Sequence, residues 1–181
     1  MRVNTTGHTG GSGWGSDVRF DDHVYIEPKK RVPGIIAKAY DTERGGAEPL
    51  RTKNGELMIN VLVGFPDLEG QPGIWYKAAL EGQWGWRGVQ VLHACGYQED
   101  ADGFIDYEAR DLPGAPVVVD IEDWERKAQN PDGTPVLDAD GNPVIECVSQ
   151  IARLHVTRGG GAPTIEAAKA DAETPTEGDM W

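Results

Sequence analysis

The sequence has little cysteine and no apolar stretch long enough to cross a membrane. Cys95 and Cys147 are the two cysteines among 181 residues. Two are too few for a scaffold held by several disulfides, so we expect reduced thiols in a cytoplasmic protein. No run reaches the roughly 18 apolar residues of a membrane span, and residues 1–16 lack the apolar core of a signal peptide. These absences argue against a transmembrane or secreted protein.

Positive charge is also scarce. The chain carries 17 Lys and Arg against 30 Asp and Glu, a formal net charge of −13, which argues against coating nucleic acid by overall charge. Residues 29–53 reverse the sign, because they hold seven basic and three acidic side chains, a net charge of +4. A phosphate-binding site needs such a local patch. The alternative is a solvated loop with ordinary lysines.

Composition divides the chain into three parts. Residues 1–19 are rich in glycine and small polar side chains, which predicts a flexible arm. Residues 20–158 hold the alternating apolar pattern, and a chain with 39% hydrophobic residues can bury the core of one domain there. Residues 159–181 start with three glycines and are acidic, which predicts a disordered tail ending in Trp181.

Apolar periodicity predicts a mainly β domain. Period-two alternation indicates five strands, and a slip in the fifth suggests a bulge near residues 149–151. A period of three to four residues indicates one short helix between the third and fourth strands, stopped by Gly96. The predicted strands cover residues 35–40, 57–63, 74–80, 116–124 and 144–156, and the predicted helix covers residues 84–95.

The connections complete the predicted layout. The turn signals Asp132-Gly133 and Asp140-Gly141-Asn142 make residues 125–143 an extended hairpin arm. Three strands, a helix and two more strands form the order of a five-stranded OB-like barrel. Other small β-barrels and sandwiches also contain five short strands, and the position of the single helix favours the OB-like barrel.

Aromatic and basic side chains near the third strand suit a single-stranded nucleic acid. Trp75 shares a strand face with Lys77 while Tyr76 shares the other with apolar residues, so we expect Trp75 to point outward. An exposed indole can stack on a base for about 1–3 kcal/mol, and a nearby lysine can contact a phosphate. The alternative is packing in the core, which we weigh more heavily for Trp86 and Trp124. The candidate nucleic-acid-binding residues are Lys38, Arg44, Arg51, Lys53, Trp75, Lys77, Trp84 and Arg153.

The carboxyl-terminal residues form a second candidate site. Acidic side chains can steer a tail to a basic surface while a terminal aromatic residue fills a pocket there. We therefore predict that the tail binds partner proteins and competes with nucleic acid for the chain's own basic groove. The alternative is a solubilising tail without a partner. The candidate partner-binding residues are Glu177, Asp179, Met180 and Trp181.

Two regions resemble bacteriophage single-stranded-DNA-binding proteins of the OB-fold type. One is the run at residues 52–61, a basic segment, a glycine turn and a Met/Ile-containing strand, followed by a glycine-rich turn, a short strand and a helix ending in glycine. The other is the acidic tail with an aromatic terminus. The resemblance covers residues 32–158 and the tail. It departs from the pattern at residues 99–111, which are strongly acidic.

The resemblance implies a non-enzymatic protein in the cytoplasm of an infected bacterium. It would coat single-stranded DNA largely without sequence preference, and its tail would recruit replication or recombination proteins; self-association is left open. The alternative is a structural virion component, such as a capsid-decorating or tail β-barrel protein. A third possibility is an inhibitor whose acidic surface mimics DNA.

Enzyme, metal and cofactor sites find little support in the sequence. His93, Cys95 and Cys147 offer three ligands, whereas structural zinc normally takes four in paired spacings. Residues 138–142 are similar to a calcium loop but lack its closing glutamate, so a hairpin turn is the better interpretation. No nucleophile elbow or phosphate-binding loop is present in the sequence. We therefore expect no metal, no cofactor and no catalytic residue.

Overall fold

A computed structural model describes residues 3–5, 19–43 and 46–156. The predicted arm and tail lie outside these residues, apart from the short strand β1 and Arg19. The strands are β1 (Val3–Thr5), β2 (Lys29–Tyr40), β3 (Met58–Gly64), β4 (Gly73–Ala79), β5 (Ile105–Tyr107), β6 (Pro116–Lys127) and β7 (Ile145–His155). The helix α1 spans Gly85–Ala94, and 3-10 turns lie at Gly82–Trp84 and Ala109–Asp111.

Five of these strands form an open antiparallel sheet in the order β4-β3-β2-β6-β7. The strands β1 and β5 form a separate parallel pair. No ladder joins the edge strands β4 and β7 within the described residues, although some of their Cα atoms approach within 8 Å. The prediction of a mainly β fold with five principal strands and one short helix is confirmed, whereas closure into a barrel stays a prediction.

One face of the sheet and the helix α1 enclose the core. Ile36, Val63 and Ile74 lie side by side across three strands and are buried, as the alternating pattern requires. From the helix, Val91 and Leu92 are fully buried against this face. None of the helices in the described ranges is long and apolar enough to cross a membrane.

Two glycines determine how the helix meets the sheet. A Cβ on Gly88 would lie 2.5 Å from the backbone oxygen of Ala79, so only glycine permits this close packing of α1 on β4. Gly96 has a φ of +91°, and its N–H donates to the carbonyl oxygen of His93. This left-handed residue ends the helix where the sequence predicts.

One predicted boundary needs correction, and a short strand lies where the sequence predicts none. The first principal strand begins at Lys29 rather than at residue 35, because β6 pairs with its first half from Lys29↔Ile121 to Ile35↔Pro116. The acidic residues 98–111 contain β5, which is anchored by the buried side chains of Ile105 and Tyr107. A bulge displaces the register between β6 and β7 at Asp120/Ile121, close to the predicted slip.

The predicted hairpin arm is present with modified limits. Its two strands continue as β6 to Lys127 and from Ile145 as β7, so the connecting segment is 128–144. Asp132 accepts hydrogen bonds from the N–H and hydroxyl of Thr134, which lowers the pKa of Asp132. Asp138 accepts the N–H of Asn142 in the same way. Residues 138–142 therefore form a turn, as predicted.

Candidate nucleic-acid interface

The outer face of β2, β3 and β4 brings several predicted residues together. Lys38 lies opposite Leu62, which lies opposite Trp75. The next row contains Tyr40, Asn60 and Lys77 in the same order. Directly opposed residues share a face of an antiparallel sheet, so Lys38, Trp75 and Lys77 lie together on the face away from the core.

Trp75 is half-buried in this surface. Its indole N–H donates to Asp22 Oδ2 at 2.7 Å. Its ring lies 6.0 Å from the ring of Tyr40, with 30° between the two planes. The outward placement predicted for Trp75 is confirmed, and the indole belongs to a pair of rings rather than standing alone.

A groove runs between the edge strands β4 and β7. It has a volume of about 870 Å³ and extends from Trp75 and Lys77 on β4 to residues 146–151 on β7. Residues 22–25 form part of its wall. Arg87, Trp124, Arg126 and residues 146–151 complete the helix and β6–β7 sides.

The charges in the groove are mixed. Arg126 Nε lies 2.6 Å from Glu146 Oε1, so these two charges largely cancel. Lys77 and Arg87 line the groove without a salt bridge to any described residue. Asp22 is the remaining carboxylate among the lining residues. The groove therefore has a small net positive charge in a protein whose net charge is −13.

The start of α1 places the predicted residue Trp84 in a cluster with Trp86 and Arg87, which sequence reasoning did not assign to the site. Trp84 and Trp86 are each 51% exposed, and their ring centroids lie 6.5 Å apart. The guanidinium carbon of Arg87 lies 5.1 Å from the Trp84 ring centroid and 5.4 Å from that of Trp86. Arg87 thus connects the groove to two exposed indoles. The expectation that Trp86 and Trp124 pack in the core is wrong, since Trp124 is also 51% exposed.

The loop between β2 and β3 lies at the same end of β4. Arg51 and Lys53 are exposed in this loop, and Arg51 Nη1 donates to the backbone oxygen of Gly55 at 2.6 Å. A Cβ on Gly82 would overlap the Glu56 carboxylate, so the loop packs against the turn that precedes Trp84. Arg44 lies outside the described residues.

A separate ion cluster lies where β2, β6 and β7 meet. Lys30 Nζ lies 2.9 Å from Glu122 Oε1, and Asp120 Oδ1 lies 2.9 Å from His155 Nε2. Burial acts to raise the pKa of Asp120, but the hydrogen bonds from the Arg31 N–H and from His155 outweigh it and lower the pKa. Cations in this cluster are already compensated by carboxylates.

Arg153 lies with this ion cluster. It sits directly opposite Asp120 in the β6–β7 register and is not among the residues that line the groove. The structure therefore does not bring Arg153 together with Trp75, contrary to the expectation that it flanks the same groove. The residues of β7 that line the groove, 146–151, precede the bulge, whereas Arg153 follows it. Arg153 therefore lies at a different part of the surface.

The two cysteines differ in environment. Burial raises the pKa of the Cys95 thiol to about 12, whereas Cys147 is exposed on β7 and lines the groove. In the described parts of the chain, no group of three or more His, Cys, Asp or Glu side chains is placed to hold a metal ion. The candidate tail residues Glu177, Asp179, Met180 and Trp181 lie outside the described residues.

Comparisons with protein-family models, with curated protein sequences and with solved structures find no match to this chain. Function must therefore be argued from the surface itself. That surface combines four half-buried or exposed rings, those of Tyr40, Trp75, Trp84 and Trp86, with cations that lack a carboxylate partner among the described residues.

Proposed function

We propose that this protein binds single-stranded DNA along the outer face of β2–β4 and the adjoining groove. One observation carries the proposal: strand register sets Lys38, Trp75 and Lys77 side by side on a face that also holds Tyr40. Rings can stack on bases of any sequence while the lysines contact phosphates. Affinity then depends little on sequence and strongly on salt.

The strand order supports an OB-type architecture for this site. Counting only the five principal strands, the sheet runs third, second, first, fourth, fifth, with α1 between the third and fourth strands. An OB-fold is a partly open five-stranded barrel that uses the face of its second and third strands for oligonucleotides. Here those strands are β3 and β4, and β4 carries both Trp75 and Lys77.

Arg87 would extend the path of a bound strand. It lines the groove beside Lys77 and also contacts both indoles at the start of α1. A strand leaving Trp75 could run along β4 toward Trp84, with Arg51 and Lys53 on the neighbouring loop. We propose Arg87 and Trp86 as additions to the residues predicted from the sequence.

The test combines fluorescence with protection of a native thiol. Labelled oligothymidylate is titrated with the protein while tryptophan emission is recorded, and the reaction of Cys147 with a thiol reagent is followed with and without oligonucleotide. We expect quenching of emission and a slower Cys147 reaction. Cys95 serves as the internal control because it is only partly exposed, does not line the groove and has a pKa raised by burial to about 12, so its slow reaction should not change with oligonucleotide. A structural virion component should give neither quenching nor protection, and that result would refute the proposal.

The tail has its own place in the proposed function. We propose that residues 170–181 recruit replication or recombination proteins and compete with DNA for the basic groove. Deleting these residues should tighten binding of oligothymidylate and abolish capture of such partners by immobilised protein. Unchanged DNA affinity in the deletion variant would rule out competition by the tail.

A further inference from the structure

Residues 21–26, here named the strap, connect the two edges of the open sheet. At one end the Gly73 N–H donates to the Asp21 carbonyl oxygen at 2.8 Å, beside β4. At the other end the Ile26 N–H donates to Ser149 Oγ at 2.7 Å, and this hydroxyl donates back to the Ile26 carbonyl oxygen. The strap therefore crosses the groove from β4 to β7.

Two side-chain hydrogen bonds hold the middle of the strap. Trp75 donates its indole N–H to Asp22, and Tyr25 donates its hydroxyl to Asp123 Oδ1 at 2.7 Å. The Asp22 side chain is 40% exposed and Tyr25 is 48% exposed, whereas Ile26 is buried. The middle is therefore less buried than the Ile26 end, so its displacement from the groove would expose less apolar surface than release of Ile26.

Asp22 places an anionic oxygen at the N–H edge of the ring that the proposed function assigns to base stacking. A carboxylate and a phosphate accept the same hydrogen bonds and repel one another. In the free protein the Trp75 N–H thus donates to an anionic oxygen, which is the kind of acceptor that a backbone phosphate would offer. This carboxylate is already counted in the small positive charge of the groove, so its removal would raise that charge by one unit.

We propose, resting on the proposed function, that Asp22 occupies a phosphate-binding position and that the strap is displaced when single-stranded nucleic acid binds. Asp22 releases Trp75, Tyr25 releases Asp123, and a backbone phosphate accepts the freed indole N–H. The strap thus competes with anions for the groove. Anions that bind weakly do not displace it, whereas a single strand with several contacts does.

Three variants separate the charge of the strap from its attachment. D22A removes the carboxylate, D22N removes its charge but keeps an acceptor for Trp75, and Y25F breaks the second attachment without changing charge. The control D102N removes one exposed carboxylate from a loop outside the groove. Each protein is first checked for folding by thermal denaturation and then titrated with oligothymidylate at fixed salt.

We expect D22N to bind about fivefold more tightly than the unmodified protein, as removal of one nearby like charge predicts. D22A also loses the hydrogen bond to Trp75 and should bind more tightly than D22N. Y25F should bind about threefold more tightly, as loss of one hydrogen bond from the closed state predicts. D102N should match the unmodified protein.

Other outcomes overturn the proposal in distinguishable ways. If the unmodified protein binds and the Asp22 variants match D102N or bind more weakly, the strap is not a competitor while the proposed function stands. If only the Asp22 variants tighten and Y25F does not, charge alone acts and displacement is refuted. Absence of binding by every variant refutes both the proposed function and the strap.

Discussion

The salt dependence of DNA binding follows from the cations on the groove side of the sheet. Lys38, Arg51, Lys53, Lys77 and Arg87 lie there. If each contacts one phosphate of a single strand, log K should fall with log salt concentration with a slope of about −3.5, at roughly −0.7 per phosphate. Raising salt from about 50 to about 200 mM would then weaken binding about 100-fold.

The double variant K38A/K77A tests this reasoning. It removes two of the five contacts, so the slope should become about −2.1 and the same salt change should weaken binding about 20-fold. The matched control is K29A/K127A, which removes two exposed lysines that do not line the groove. Its slope should remain near −3.5, although both double variants change the net charge equally.

Fluorescence polarisation of labelled oligothymidylate at four or more salt concentrations measures each slope. Thermal denaturation establishes that both double variants remain folded. Equal slopes for K38A/K77A and the unmodified protein would refute the assignment of these lysines to phosphate contacts. Equal loss of slope in K29A/K127A would show that the effect belongs to overall charge and not to this face.

Further predictions concern stability and ionisation. G88A should destabilise the protein by about 1–3 kcal/mol in chemical denaturation, because its Cβ would lie 2.5 Å from the Ala79 oxygen; unchanged stability would contradict this packing. The hydrogen bond to Asp123 raises the pKa of Tyr25 to about 12, so its stabilisation is present below pH 10 and is lost as pH rises through 12. Absorbance titration should show one tyrosine of D123N ionising earlier, nearer pH 10. Because the pKa of Asp120 is lowered in the folded protein, its ionisation stabilises above about pH 4. The stability difference between the unmodified protein and D120N should therefore shrink on acidification, and a pH-independent difference would count against that lowered pKa.

The sequence predicts the main elements because local patterns determine them. Alternation of apolar residues sets the face of β4, and the glycine at position 96 stops the helix. The extra half of β2 was missed because its residues 29–34 include four charged or proline positions. Their strand conformation depends on pairing with β6, a contact distant in sequence.

The candidate site was only partly predictable for the same reason. Trp75 and Lys77 were found because two residues of one strand separated by one position share a face. Lys38 joins them only through the β2–β3–β4 register, and Asp22 reaches Trp75 from 53 positions away. Arg87 carried no signal beyond one cation in an amphipathic helix. Side chains contributed by separate strands and loops can be assembled only once the topology is known.

The strand β6 has two unlike halves, and its backbone dynamics should reflect them. Pro116–Ile121 is buried throughout, whereas Glu122–Lys127 is exposed throughout, although both halves pair with β7. Amide hydrogens in the inner half should exchange with solvent only on global unfolding, while those in the outer half should exchange through smaller local openings. Protection of amide hydrogens from exchange should therefore fall sharply along β6 near the Asp120/Ile121 bulge. The exposed half of β6 and the part of β7 paired with it could open while the core stays folded.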